Sequence, residues 1–324
     1  MGLRPAAAAG FAHPLGAGSL DTRLRRLFNS RGRVDRSRLA ERLLPASSSL
    51  STPGSSESGV AELGFYWLQI AEWLADAFDL RSTERGRELF GDLCWAQYCV
   101  YGIFRVQDDL VDGESTDALV AVEANRLSTE AARCAARWFD GGSLFWAIYQ
   151  RTIDQTSRAI VALHDLQRAA EREPHAELDL YVDLGACLKI AAAGVAIASG
   201  REDDWRRRVS PALDRLAVAG QVLDDLEDVE DDLADGRINY AAWWLCRPVF
   251  GATREALQAV VAFNLATGDR VPGLVEVARR HVVEAAEILG PSICPAVSRY
   301  LEVYRRRIDR VEASIERGRL ELFG

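Results

Sequence analysis

Two acidic clusters are the residues of this chain whose type and spacing point most directly to chemistry. The segment from Gln221 to Tyr240 holds seven acids within the nine positions from Asp224 to Asp232. Asp224, Asp228 and Asp232 recur every four residues, so a helix places them along one face. Like charges stacked in this way destabilise an isolated helix, and a compensating cation is therefore expected.

The same Asp-Asp-x-x-Asp pattern occurs earlier in the chain, where Asp108 to Asp112 end a long apolar run. The two patterns start 116 positions apart, from 108 to 224, so they belong to different helices. Carboxylate and phosphate oxygens are preferred ligands of Mg²⁺, and two facing rows of carboxylates suit two or three such ions bridging a diphosphate. The expected metal ligands are Asp108, Asp109, Asp112, Asp224, Asp225, Asp228 and Asp232.

Other metal sites fit these acids less well. An EF-hand loop would need an oxygen ligand where Leu110 or Leu233 stands, and a bidentate acid where Leu119 or Ala242 stands. A di-iron bundle needs Glu-x-x-His pairs, which this sequence lacks. A solvated helix face is the plain alternative, but both clusters follow apolar helical residues.

Several basic residues are candidate donors to a phosphate. Lys189 is the only lysine beside 38 arginines, and it is set among small apolar residues. Its compact charge suits a diphosphate contact, although a lysine at the edge of the core is the alternative. For the arginines, exposed ion pairs with the acids are the alternative. The further candidates are Arg105, Arg237, Arg299 and the neighbouring Tyr300.

Aromatic side chains accompany both acidic clusters. They are ordinary core residues or, alternatively, a cavity wall whose ring faces stabilise cations. Phe104 and Tyr101 lie about one and two helical turns before Asp108, so we expect them to contact the substrate. The aromatic residues concerned are Trp95, Tyr98, Tyr101, Phe104, Trp243 and Trp244.

A helical scaffold must position these side chains. The chain has 324 residues, 48% hydrophobic and 27% charged, which is typical of a soluble globular protein. Helix-forming residues abound and no convincing strand pattern appears, so the fold class is expected to be all-α. Glycine and proline delimit helices expected near residues 60–80, 84–112, 115–139, 143–171, 176–199, 202–233, 236–247, 252–267, 271–289 and 293–320.

The first 58 residues differ from the rest in composition. They carry nine arginines and four acids, a net charge of +5, so the remainder of the −9 chain carries −14. That acidity argues against nucleic acid as a partner. Residues 46–59 have the composition of a flexible linker. We therefore expect a disordered basic extension at 1–58 and one helical domain at 59–324.

The expected location is the cytoplasm. The N-terminal residues lack a sustained apolar segment, which argues against a secretory signal, whereas an organelle transit peptide stays open. No apolar run reaches 18 residues, so a stable membrane span is not expected. Six cysteines stand singly in apolar contexts, which is typical of reduced buried thiols.

These motifs resemble those of the class I isoprenoid synthase superfamily: trans-prenyl diphosphate synthases, class I terpene synthases and squalene/phytoene synthases. The resemblance covers about residues 60–320. It rests on the segment 107–112, on Lys189 in a small-residue helix, and on the segment 221–228. Gly236–Tyr240 also resembles the Gly-Arg-Ile-Tyr that follows the second motif of phytoene synthases.

The resemblance implies an all-α bundle around a central active-site cavity and a prenyl diphosphate substrate. It implies three Mg²⁺ ions held by the two acid rows, with Asp232 as an additional ligand. Lys189 would contact the diphosphate. Arg299 and Tyr300 resemble the Arg-Tyr pair near the C-terminus of bacterial terpene synthases.

The departures from the superfamily patterns favour cyclisation over chain elongation. No lysine precedes Asp108 and the first arginine after Asp112 is Arg126, so the second diphosphate site of elongating enzymes is not expected. The second motif also differs from the Asn/Ser/Glu triad of bacterial cyclases. The expected function is a class I terpene synthase acting on a C15 or C20 diphosphate.

Two other functions stay open at this point. One is a prenyltransferase that joins two isoprenoid diphosphates, and the other is a non-catalytic partner subunit of the same fold. The second is disfavoured because both acid rows are intact. A homodimer is also left open.

Overall fold

Helices account for most of residues 66–113, 118–168, 174–247, 253–268, 270–293 and 297–323, the residues that a computed structural model of the chain describes. These ranges contain no strand, which confirms the all-α prediction. The predicted boundary between residues 58 and 59 lies outside them. The helices are α1 Tyr66–Ala77, α2 Glu84–Val111, α3 Ala118–Ala136, α4 Leu144–Arg168, α5 Pro174–Leu184, α6 Ile190–Ala198, α7 Ser210–Glu227, α8 Val229–Ala234, α9 Tyr240–Cys246, α10 Arg254–Thr267, α11 Val271–Ile293 and α12 Val297–Phe323.

Helix α2 lies at the centre of the fold and presents the first acidic cluster at its C-terminal end. It begins where the Thr83 hydroxyl accepts a hydrogen bond from the Gly86 N–H at 3.0 Å. Seventeen of its 28 residues are buried, and helices α1, α3, α4 and α6 pack around it. A helix with apolar residues on nearly every face is stable only when enclosed in this way.

Small residues let the neighbouring helices approach closely. Gly194 of α6 faces Leu93 of α2, and a Cβ added at Gly194 would lie 2.4 Å from a Leu93 methyl carbon. Gly185 faces α7, where an added Cβ would lie 2.4 Å from the Cβ of Ala217. Small residues either let helices approach closely or leave an empty space. At Gly185 and Gly194 the helices approach closely.

The predicted helix at 176–199 is interrupted. Residues Gly185–Lys189 form a 3₁₀ segment between α5 and α6. The buried Thr156 hydroxyl of α4 donates to the Asp183 carbonyl at 3.1 Å and accepts from the Cys187 N–H at 3.2 Å. Because Thr156 bonds backbone groups on both sides of the interruption, a tertiary contact supports a break that the local sequence does not signal.

The predicted helix at 202–233 is also divided. A single π-helical turn at Trp205–Val209 precedes α7, and α7 ends at Glu227. Asp228 then adopts φ −99° and ψ 5° before α8 begins. The second acidic cluster therefore lies on two short helical pieces joined by a bend.

One stretch, Glu177–Ala198, is long and apolar enough to cross a membrane by length and composition. This stretch includes the 3₁₀ interruption. A search for a continuous run of 18 apolar residues does not detect it. Within its most apolar window 67% of the residues are buried inside the protein. This burial is what a core helix of the bundle shows. The five cysteines in the described ranges form no disulfide with one another and are buried, as predicted.

The contact between Gly185 and α7 yields a stability prediction. We expect Gly185→Ala to lower the free energy of unfolding by about 1–3 kcal/mol, because the added methyl overpacks against the Cβ of Ala217. Gly141, which has no atom within 4 Å of an added Cβ, is the matched control. Urea unfolding followed by circular dichroism measures both, and equal stability of the two variants would contradict the prediction.

Candidate active site

Both acidic clusters open onto one cavity of about 640 Å³. Asp108 and Asp112 reach it from α2 on one side. Asp224 from the end of α7, Asp228 from the bend and Asp232 from α8 reach it from the other. The spacing of four residues keeps each row on one helical face, as the sequence predicts.

Asp109 and Asp225 are placed differently from these five aspartates. Asp109 is 6% exposed, is not among the residues that line the cavity, and lies 3.3 Å from the Arg105 Nε. Asp225 is 4% exposed, and its carboxylate accepts hydrogen bonds from the Tyr181 hydroxyl, the Gln221 amide and the Tyr240 N–H. One residue step turns a helix by about 100°, which directs these side chains away from the helical face that carries the other aspartates.

Arg237 bridges the two acid rows. Its guanidinium donates to the Asp112 carboxylate at 2.8 Å and lies 2.8 Å from the Asp232 carboxylate. Gly236, with φ 82°, precedes it and turns the chain after α8. Arg237 thus occupies a position between α2 and α8, where a cation interacts with both rows at once.

A second arginine, Arg307 of α12, holds the beginning of the second row. Its guanidinium bonds both Glu227 carboxylate oxygens, at 2.8 and 2.7 Å, and the Asp224 carboxylate at 2.5 Å. The Arg307 side chain is 4% exposed. Tyr304, one turn earlier, lines the cavity and donates to the Leu216 carbonyl at 3.1 Å.

The second acid row is short of positive charge. Partial desolvation within the cavity, which disfavours the charged form, raises the pKa of Asp224, Asp228 and Asp232, and neighbouring acids add to the rise at Asp228. Arg307 and Arg237 partly offset the effect at Asp224 and Asp232. Burial also raises the pKa of Asp225 to about 8. A bound dication would supply the missing charge.

The chemistry of the lining residues fits Mg²⁺. Six aspartates and three arginines line the cavity, so carboxylate oxygens are in excess. Among the described residues, no three acids, histidines or cysteines converge closely enough to hold an ion by themselves. Mg²⁺ is commonly bound through one or two carboxylates together with waters and substrate phosphates, so a converged protein cage is not required.

The walls beyond the acids are largely apolar. Phe104 and Tyr101 line the cavity as predicted, with Phe104 buried and Tyr101 37% exposed. Trp95 and Tyr98, the aromatic residues that precede these two on α2, stack on each other within the core, with their ring centroids 5.7 Å apart. Other apolar lining residues are Ile160, Leu163, Leu184 and Leu188.

Lys189, the predicted diphosphate contact, lies outside the lining of the cavity. Lys189 is 7% exposed and is not among the lining residues, and its ammonium is paired with Asp214 of α7. The cause is its position at the end of the 3₁₀ segment, which directs the side chain to α7. Arg299 and Tyr300 lie on α12, but their side chains are outside the described part of the structure.

Several lining residues were missed by the sequence analysis. Arg307 and Tyr304 lie one to two turns beyond the predicted Arg299 and Tyr300 on the same helix. His164 of α4 lies with its Nδ1 3.3 Å from the Asp112 carboxylate. A lone histidine 52 positions away carries no spacing signal that would have linked it to the acids.

Comparison with models of known protein families finds no match for this chain. Comparison with curated proteins finds no significantly similar sequence. The function of the protein is therefore inferred from the residues that line the cavity.

Because Asp225 is buried and Asp228 is exposed, their replacement is expected to affect stability to different extents. We expect Asp225→Ala to lower the free energy of unfolding of the metal-free protein by about 1–3 kcal/mol, because buried donors lose their acceptor. Asp228 is exposed and repelled by its neighbours, so Asp228→Ala is expected to change stability by less than about 0.5 kcal/mol. Urea unfolding tests both, and a larger loss at Asp228 would contradict the assignment.

Proposed function

We propose that this protein is a class I terpene synthase. It ionises a linear allylic prenyl diphosphate of C15 or C20 length with the help of Mg²⁺, cyclises the carbocation and releases diphosphate. One observation carries the proposal: two aspartate rows from separate helices face a single cavity that apolar and aromatic side chains also line. A diphosphate with a long hydrocarbon tail has the same division of chemistry.

The polar end of the cavity supplies the binding groups for the diphosphate. Asp108, Asp112, Asp224, Asp228 and Asp232 are the residues that would hold Mg²⁺ there. Bound Mg²⁺ acts as a Lewis acid that stabilises the negative charge of a departing diphosphate. The arginines that line the cavity are donors suited to phosphate oxygens, because a guanidinium binds them in a fork geometry. They are Arg105, Arg237 and Arg307.

The apolar end guards the hydrocarbon. Ring faces such as those of Phe104 and Tyr101 attract a cation, and aliphatic side chains exclude water that would quench it. The cavity volume of about 640 Å³ lies within the range of about 300–1,000 Å³ that is common for small-molecule sites. These features support a single prenyl chain folded inside the cavity.

One prediction concerns the dependence of turnover on metal and on both acid rows. We expect purified protein with Mg²⁺ to convert a C15 or C20 diphosphate into hydrocarbon or alcohol products, detected by gas chromatography–mass spectrometry. Asp108→Ala and Asp224→Ala should each lower turnover by more than about 100-fold, because each removes electrostatic stabilisation of the departing diphosphate. Circular dichroism should show a retained helical fold. Near-normal turnover of either variant would contradict the site assignment.

The same assay separates cyclisation from chain elongation. It includes C10, C15, C20 and C25 diphosphates, each with and without radiolabelled isopentenyl diphosphate. We expect no label in any product, since the chain lacks a basic segment before Asp108 and paired arginines after Asp112. Label in a longer chain would instead establish a prenyltransferase.

A further prediction concerns the wall of the cavity. Phe104 lies one turn before Asp108 on the same face of α2, so its ring limits the space beyond the diphosphate. We expect Phe104→Ala to lengthen the accepted prenyl chain or to redistribute products, with metal dependence unchanged. Ile103, the buried neighbour that is not among the lining residues, is the matched control. Equal product profiles for Phe104→Ala, Ile103→Ala and the parent protein would place Phe104 outside the substrate's path.

A further inference from the structure

The bend between α7 and α8 determines where the second acid row points. The Asp228 and Asp232 N–H groups bond the carbonyls of Asp224 and Asp228, each at 2.9 Å, so the spacing of four persists through the bend. The end of a helix leaves its last carbonyls in need of donors. In α7 one of these carbonyls, that of Asp225, accepts a hydrogen bond from the side chain of Asn239 at 2.8 Å.

The same Asn239 amide nitrogen also contacts the acid row. It donates to Oδ2 of Asp232 at 2.6 Å, while Arg237 lies 2.8 Å from Oδ1 of the same carboxylate. The Asn239 oxygen accepts the Ala242 N–H at 2.8 Å and so caps α9. Asn239 is 0% exposed, and its contacts with the Asp225 carbonyl and the Ala242 N–H are buried, whereas its contact with Asp232 is partly buried.

This network determines the orientation of the amide. In the reversed orientation the Asn239 oxygen would face the Asp225 carbonyl and the Asp232 carboxylate, which are both acceptors. The amide nitrogen would then face the Ala242 N–H, which is a donor. The contacts therefore determine the amide assignment, with the nitrogen toward Asp232 and the oxygen toward α9.

We propose that Asn239 is a positioning residue for the second acid row, holding the α7–α8 bend and the Asp232 carboxylate in the arrangement that receives a divalent cation. The inference rests on the proposed function, because it takes the acid rows as the metal site. Asn239 does not line the cavity, so it acts through Asp232. Polar residues that orient a metal ligand from behind commonly change metal affinity by about 10- to 100-fold when they are replaced.

The test measures binding of Mn²⁺ in the presence of inorganic pyrophosphate, which supplies the phosphate oxygens of the expected coordination sphere, by isothermal titration calorimetry and electron paramagnetic resonance. Asn239→Ser keeps a capping oxygen for α9 but withdraws the amide from Asp232. Asn239→Thr is a second variant that also caps and fills more of the space, in case the serine variant does not fold. We expect both to bind Mn²⁺ about 10- to 100-fold more weakly than the parent protein.

Asn264 provides the matched control. It is a second buried asparagine, 7% exposed, and its amide donates to the Val260 carbonyl at 2.9 Å and to the Leu245 carbonyl near the other end of α9 at 3.2 Å. Asn264→Ser therefore removes a comparable anchor of α9 without touching the acids. It is expected to lower the melting temperature and to leave Mn²⁺ affinity within about twofold of the parent value.

The outcomes distinguish failure of the proposed metal site from failure of the role proposed for Asn239. Asp224→Asn is included to test the metal site itself. If the parent protein does not bind Mn²⁺, or if Asp224→Asn binds it equally well, the metal site and the role of Asn239 are both wrong. If Asp224→Asn loses binding while a folded Asn239→Ser or Asn239→Thr keeps the parent affinity, only the role of Asn239 is overturned. A loss of affinity in Asn264→Ser equal to that of Asn239→Ser would likewise overturn it.

Discussion

Repulsion among aspartates is the constraint on which the rest of this structure depends. Six of them line one cavity, and desolvation makes the charged form costly for the four that belong to the second cluster. Arg237 between the rows and Arg307 behind the second row offset part of that charge. The remaining excess is negative, and it is the physical reason for proposing dications as occupants. Bound dications would in turn attract a diphosphate. The apolar wall below the acids then accounts for the hydrocarbon end of the proposed substrate.

The scaffold meets this constraint with helices that are interrupted at the cavity and anchored from behind. Thr156 supports the break between α5 and α6, and Asn239 supports the bend between α7 and α8. Asp225 ties α7 to Tyr181 of α5 and to the first N–H of α9. In each case a side chain from another element satisfies backbone or carboxylate groups near the break, as buried polar groups require. The side chains that line the cavity therefore keep their positions although the helices that carry them are interrupted.

Much of this arrangement was determined by the sequence alone. The all-α class follows from composition and from the absence of strand patterns. Glycine and proline mark several helix ends, but they do not mark the breaks within the predicted helices 176–199 and 202–233. The meeting of Asp108 with Asp224 across a cavity was predicted from a pattern that occurs twice. The positions of Tyr101 and Phe104 in the cavity wall were predicted as well, because helical periodicity alone sets them relative to Asp108.

Only the tertiary structure decided which candidate side chain actually faces the cavity. Lys189 has the right chemistry but pairs with Asp214, and Arg307 lines the cavity although nothing in its neighbourhood distinguishes it from other arginines. Asp225 and Asp109 belong to the motifs yet turn away from the row. Periodicity acts over a few residues, whereas ion pairs and the bonds that stabilise helix breaks join positions up to 125 residues apart. Such partners are selected by packing, and the local sequence carries no record of them.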